Sequence, residues 1–146
     1  MSATGLEAFD KTLQITNTWL KDIMADHGPD RQVAWHVLSA VLHTIRDRLP
    51  ADLSAHLSAQ LPLLVRGAYY DRYEPSKQPM QYRTLDEFLK HIEEELQFVR
   101  PVDAKDAARS VFNVLSHYIT PGEVRKVRES LPEDVRSLWP DPEVRH

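Results

Sequence analysis

Proline placement is the feature that most constrains the fold of this 146-residue chain. The sequence contains ten prolines, and most of them separate segments whose apolar residues recur every three or four positions. Proline disrupts a helix interior but suits the first helical turn, so this spacing predicts short helices joined by tight turns. No segment shows the apolar and polar alternation of a half-buried strand. We therefore predict one all-α domain over residues 1–146, a compact bundle of about eight helices.

Capping residues and prolines predict where the individual helices begin. Residues 4–7 have the form of a capping box, so the first helix should begin at Thr4 and end near Asp26. The apolar residues on its buried face should be Leu6, Phe9, Leu13, Thr16, Leu20 and Ile23. Later helices should start at Asp30, Pro50, Pro62, Thr84, Asp103, Thr120 and Pro132. The fourth helix should reach about Tyr73, and we expect a loose tail after Pro140.

An internal repeat divides the chain into two predicted units, residues 4–73 and 84–139, joined by a linker over residues 74–83. At an offset of 70 positions, Ala34, Val41, Leu61, Pro62, Val65 and Arg66 coincide with Ala104, Val111, Leu131, Pro132, Val135 and Arg136. An offset of 79 aligns Leu6, Phe9, Lys11 and Leu13 with Leu85, Phe88, Lys90 and Ile92. The first unit should therefore hold about nine extra residues, near residues 16–27. The repeated positions are mostly apolar, so the repeat predicts packing rather than activity.

Composition argues against several classes of function. The chain has no cysteine, which excludes disulfides, thiolate zinc sites, iron–sulfur clusters and a cysteine nucleophile. Its 18 basic and 22 acidic residues give a net charge of −4, which disfavours nucleic acid as a partner. No apolar run approaches the roughly 18 residues that a membrane span needs, and the first twenty residues do not resemble a signal peptide. We expect a cytoplasmic protein without a membrane partner.

Two predicted helix faces carry residues of the metal-ligand type. The second helix places His36, His43 and Asp47 opposite its apolar stripe. The fifth helix carries a polar ladder of Glu87, His91, Glu94 and Glu95. Neither face points toward the predicted core, and neither offers a closed set of ligands. We interpret both faces as solvated helix surface and expect no metal site.

Residue patterns of common catalytic sites are also missing from the sequence. It contains no nucleophile elbow, no phosphate-binding glycine-rich loop and no dinucleotide-binding glycine pattern. Acidic pairs such as Asp22 with Asp26 and Glu133 with Asp134 lie at predicted helix ends, where carboxylates are common. We therefore expect no catalytic residue and no cofactor.

Four of the five tyrosines lie within 14 residues of one another, at positions 69, 70, 73 and 82. At the repeat offset of 70, Tyr69 coincides with Trp139, so Tyr69 should belong to the core. Tyr70 and Tyr73 have no apolar counterpart and should face outward. Tyrosine and arginine are enriched in interface hot spots, which predicts an interaction surface formed by Tyr70, Arg72, Tyr73 and Tyr82. The alternative is that these rings pack the linker against the second unit.

Three short patterns resemble a known protein family. They are Ala40-Val41-Leu42 leading to Ala59-Gln60-Leu61-Pro62, Leu85-Asp86-Glu87-Phe88, and Ile119-Thr120-Pro121-Gly122-Glu123 leading to Leu131-Pro132. In this order they resemble the bacterial family called domain of unknown function 2267, over roughly residues 6–140. The resemblance implies an all-helical, mostly bacterial protein. It brings no catalytic residues, since none are established for the family.

Two kinds of function therefore stay open. The first is a non-catalytic protein-interaction or scaffolding module that binds a protein partner or a second copy of itself. The second is a small-ligand or metal-binding protein, possibly enzymatic, with a site between the two helical units. A filled apolar interface between the units and exposed aromatic rings would favour the first function. A polar pocket between the units would favour the second.

Overall fold

The computed structural model describes residues 4–141, and the regular structure in this range is entirely helical. Seven helices, α1 to α7, span Glu7–His27, Arg31–Arg48, Ala51–Ser58, Leu63–Tyr70, Leu85–Leu96, Ala104–Tyr118 and Pro121–Glu129. Two single 3-10 turns cover Pro75–Lys77 and Val135–Leu138. The all-α prediction is confirmed, with a helix count close to the eight expected. The last five residues of the predicted loose tail, 142–146, lie outside the described range.

Side-chain caps begin four helices at the residues that the sequence indicates. In each case a carboxylate or hydroxyl oxygen accepts a hydrogen bond from a backbone N–H two or three residues later. The capping residues are Asp30, Thr84, Asp103 and Thr120. None of the helices within residues 4–141 combines the length and the apolar character needed to cross a bilayer.

Two predicted helix ends are wrong. Helix α1 begins at Glu7 rather than Thr4, because the Thr4 hydroxyl donates to Asp10 and accepts the N–H of Leu6 in a turn that precedes the helix. Helix α4 ends at Tyr70 rather than near Tyr73. After it the chain turns through Arg72, which has a φ of 58° and so leaves the helical conformation.

The centre of the fold is helix α2, which contacts α1, α4, α5 and α6. Nine of the ten residues from Val37 to Arg46 are buried, so this helix has no solvated face over nearly three turns. The position of a residue opposite the apolar stripe therefore does not predict exposure in α2.

His43 shows the consequence, since the prediction of a solvated face is wrong for this residue. Its imidazole is buried, and its Nδ1 lies 2.7 Å from Oε1 of Glu95 in α5. Its Nε2 lies 2.6 Å from the carbonyl oxygen of Ala68 in α4. A polar residue on the far side of α2 thus joins three helices, because a buried ring must find hydrogen-bond partners.

The predicted internal repeat has a counterpart in two arginines. Arg66 donates to the carbonyl oxygens of Leu61 and Ala59, five and seven residues earlier. Arg136 donates to carbonyl oxygens at the same two spacings, those of Leu131 and Glu129. These matching contacts support the repeat, which stays a prediction.

The second offset of the repeat pairs residues in unlike environments. Leu6, Phe9 and Leu13 are between 41 % and 54 % exposed, whereas Phe88 and Ile92, to which that offset assigns two of them, are fully buried. The prediction that these three residues belong to the core is therefore wrong. Helix α1 has 21 residues and α5 has 12, a difference of nine. Apart from Thr12, the buried residues of α1 begin at Thr16, so its exposed extra length lies in its first half and not near residues 16–27 as predicted.

Removal of either leucine that precedes a repeated proline should destabilise the fold. Leu61 and Leu131 are each 2 % exposed, so Leu61→Ala or Leu131→Ala should lower the free energy of unfolding by roughly 2–5 kcal/mol through lost contacts and a cavity. Phe98→Ala, at a side chain that is 92 % exposed, should change it by about 0.5 kcal/mol or less. Denaturant unfolding measures all three, and a loss below about 1 kcal/mol at both leucines would contradict their equivalence.

The contact between His43 and Glu95 should be energetically coupled. His43→Ala and Glu95→Ala each leave a partly buried polar group without its partner, so the double variant should lose less stability than the two single losses together. We expect a coupling free energy of about 0.5–3 kcal/mol in a double-mutant cycle. Glu94→Ala is the control, because Glu94 is exposed on the same helix turn and should not couple to His43. Additive losses for His43 and Glu95 would refute the role assigned to this pair.

Candidate functional site

Internal contacts engage the tyrosines that were expected to face outward. Tyr70 is half-buried and donates from its hydroxyl to Oγ of Ser58 at 2.9 Å. Tyr73 is also half-buried, donates to Gln78, and lies under the buried guanidinium of Arg46 at 5.1 Å from the ring centroid. Burial raises the pKa of the Tyr73 hydroxyl. Both rings are oriented by the fold rather than projected into solvent.

Tyr82, the last residue of the predicted interaction surface, is buried. It is 4 % exposed and donates from its hydroxyl to the carbonyl oxygen of Thr44, so it offers almost no area to a partner. Its ring lies 5.9 Å from that of Phe88 and 5.3 Å from that of His91. Tyr82 thus fastens the segment between α4 and α5 to both α2 and α5. Tyr69 is fully buried, as the repeat predicts.

Arg72 is the residue of the predicted surface that stays largely exposed. Its guanidinium lies 3.3 Å from Oε1 of Glu95, the same oxygen that contacts His43. The segment that follows it is held to the C-terminal end of α2, where the Gln78 amide donates to the carbonyl oxygens of Arg46 and Leu49 at 2.8 Å. The predicted linker is therefore packed against the first unit.

The remaining residues of metal-ligand type are separated by the fold. His36 is exposed, Asp47 accepts two hydrogen bonds from Arg46, and Glu87 accepts from the start of its own helix α5. His91 lies against the ring of Tyr82. Over residues 4–141, no group of three or more histidines and carboxylates is arranged to hold a metal ion.

A polar groove lies between α1 and α6, the helices that the repeat assigns to different units. It encloses about 470 Å³ on one side of Ser110 and continues past Asn113. Its lining residues are mostly charged or polar, and they include Asp22, Asp26, Asp106, Arg109, Ser110, Asn113, His117 and Tyr118. Sequence analysis singled out the acidic pair but not the groove, because only the packing of α1 on α6 brings these residues together.

Hydrogen bonds order the floor of this groove. The Ser110 hydroxyl donates to Oδ2 of Asp26 at 2.6 Å, while Nε2 of His27 lies 3.0 Å from the same hydroxyl oxygen. Because the serine proton is directed at the carboxylate, the imidazole acts as a donor here, which differs from the order of groups in a Ser–His–Asp triad. Tyr118 donates to Asp22 at 2.7 Å, and burial together with this bond raises the pKa of Tyr118 to about 12. The groove therefore presents neutral donors beside carboxylates.

An apolar face on α1 and α4 is the site that sequence analysis missed. Five of the seven exposed large apolar side chains within residues 4–141 lie there, namely Leu6, Phe9, Leu13, Leu63 and Leu64. The two helices meet where the hydroxyl of Thr12 accepts the N–H of Leu64 at 3.2 Å. This bond supplies a cap that Pro62, at the start of α4, cannot provide. We refer to the five side chains as the α1/α4 face.

The signal for this face was present in the sequence as the apolar spacing of Leu6, Phe9 and Leu13, which were assigned to the core. Periodicity gives the direction of an apolar residue on a helix, but it does not say whether another helix covers that residue. The C-terminal half of the α1 stripe is covered by the fold, and the N-terminal half is left open.

Comparison with known proteins identifies a family. A family described as "Uncharacterized conserved protein (DUF2267)" matches residues 16–138, as the sequence resemblance predicted. The first nine residues of α1, which include Phe9 and Leu13, precede the matched region. Comparison with curated proteins finds no match. Since the matched region covers most of the 146 residues, the chain belongs to the DUF2267 family of uncharacterized conserved proteins.

Proposed function

We propose that this protein is a non-catalytic protein-interaction module and that the α1/α4 face is its binding surface. The observation that carries the proposal is the concentration of exposed leucine and phenylalanine side chains on this one face. Scattered exposed apolar residues are ordinary, whereas a contiguous group of large ones is typical of an interface.

The size of the face supports this function. From their exposed fractions, the five side chains present on the order of 450 Å² of apolar surface. The largest apolar patch on a typical monomer covers about 300–600 Å² and is often functional. Burial of that area would favour association by a gross free energy on the order of 10 kcal/mol, before the costs of immobilising two molecules. The tyrosine segment offers less, since its rings and hydroxyls are engaged within the fold.

Polar substitutions on the face should remove binding without unfolding the protein. Phe9→Ser combined with Leu13→Ser replaces side chains that are 50 % and 41 % exposed, so the melting temperature should change little. Affinity capture from native extract should lose a protein that the unsubstituted chain retains. Ile15→Ser is the matched control, because Ile15 is on the same helix, is 37 % exposed and lies about 160° around the helix from Leu13.

The comparison among the three proteins decides the proposal. A partner retained by the unsubstituted chain and by Ile15→Ser, but lost from the double variant, agrees with it. An identical set of captured proteins for all three would rule out the α1/α4 face as the binding surface.

The groove between α1 and α6 favours a second candidate function, the binding of a small polar ligand. Three carboxylates, Asp22, Asp26 and Asp106, line it together with one arginine, Arg109. Arg109 lies 3.7 Å from Asp106, which leaves a net negative lining. An amine or diamine would be the matching ligand chemistry.

Putrescine, a diamine, tests this second candidate. A ligand of the folded state at about 100 times its dissociation constant stabilises that state by about 2.7 kcal/mol, which raises the melting temperature. Asn113→Trp should fill the groove and abolish the increase, because Asn113 is exposed and lines both parts of it. Gln97→Trp adds the same ring at the exposed residue that follows α5 and should leave the increase intact. A melting temperature that putrescine does not change would dismiss the groove as a diamine site.

A further inference from the structure

We infer that the α1/α4 face binds a second copy of this chain, through antiparallel pairing of the N-terminal halves of two α1 helices. This inference rests on the proposed function, since it names the partner for the same surface. The grounds are the spacing of the apolar residues, the area that they expose and the geometry of α4 beside them.

The apolar residues of α1 follow the spacing of a coiled-coil seam. Successive members are three and four residues apart, as at the a and d positions of a heptad, along Leu6, Phe9, Leu13, Thr16, Leu20 and Ile23. The last three are buried against the fold, whereas the first three are exposed. The apolar stripe of α1 therefore extends past the point where the other helices stop covering it. No seam position carries a charge, so a partner helix can cover the surface without burying an unpaired ion.

A second copy supplies the matching surface. In an antiparallel pair centred between Phe9 and Leu13, Phe9 of each copy lies opposite Leu13 of the other, which brings d positions against a positions. The same patch then serves both molecules around a two-fold axis, the commonest symmetry of homo-oligomers. Leu63 and Leu64 on α4 extend the apolar surface beside each α1 helix.

The exposed apolar area agrees with the requirement of a stable dimer. A standard interface buries about 800 Å² per partner, of which about 56–65 % is apolar. The five side chains expose on the order of 450 Å² of apolar surface, which is approximately the apolar part of such an interface. The polar rim would come from the neighbouring side chains of α1.

Gly67 adds an independent observation on α4. It is exposed in the interior of this helix, three and four residues after Leu64 and Leu63, and among residues 4–141 no atom lies within 4 Å of the position that a Cβ would take. A glycine in a helix interior costs about 1 kcal/mol relative to alanine, and no contact in the described part of the chain requires one at this position. The close approach of a partner's side chain accounts for a glycine at this position.

Sedimentation velocity of the purified full chain tests the inference, at concentrations from about 1 to 100 μM. The unsubstituted chain should sediment with about twice the 16.9 kDa mass of one chain at the upper end of this range. Phe9→Ser with Leu13→Ser should raise the dissociation constant about tenfold or more. Gly67→Gln should do the same without touching α1, and circular dichroism should show each variant folded.

Ile15→Ser, on the opposite side of α1, should leave the dissociation constant unchanged. A monomer at every concentration would overturn the inference, as would a dimer that the double variant and Gly67→Gln do not weaken. If the chain is monomeric while native extract yields a partner that the double variant loses, the second copy is wrong and the proposed function stands. If neither association depends on Phe9 and Leu13, both fail.

Discussion

The rest of the structure depends on the burial of α2. A helix that is covered on every side over nearly three turns must satisfy the polar side chains of those turns within the protein, since an unpaired buried group costs about 1–3 kcal/mol. His43 and Arg46 meet this requirement by reaching carbonyl oxygens at the end of α4, those of Ala68 and Tyr69. The guanidinium of Arg46 also donates to the carbonyl oxygen of Asp71, so the contacts that satisfy α2 lie at the point where α4 ends. Helix α4 is in this way positioned by α2.

This central helix explains which parts of the fold the sequence predicts. Capping residues such as Thr84 and Asp103 act within a few residues of themselves, so local chemistry is sufficient to place the starts of α5 and α6. Helix α6 buries Val111 and Leu115 while Asn113 stays exposed, so it has the single covered face that a helical wheel assumes. The burial of His43 was not predictable from a helical wheel, because a wheel assumes that only one face of the helix is covered. The end of α4 was missed as well, and there a side chain from another helix, Arg46, contacts the carbonyl oxygens of Tyr69 and Asp71.

The candidate sites show the same division between local and tertiary information. Tyrosines near arginines are enriched at interfaces, yet here Tyr82 is buried and Tyr73 lies under Arg46, contacts that composition alone does not reveal. The groove between α1 and α6 joins Asp26 to Ser110 across 84 positions of the sequence, a juxtaposition that spacing on one helix cannot reveal. Of the carboxylates in the groove, Asp22 and Asp26 were recognisable in the sequence, but only as residues of a helix end.

The two halves of helix α1 have the same apolar pattern, but the first half is exposed and the second half is buried. An isolated helix of two to three turns is marginal in water, since nucleation costs more than a short run of hydrogen bonds returns. The exposed first half avoids that cost by continuing from a second half that Trp19, Leu20 and Ile23 anchor in the core. Nucleation by the buried half therefore allows the chain to present Phe9 and Leu13 on a formed helix without covering them. A partner at this face would meet an ordered surface, which lowers the entropic cost of binding.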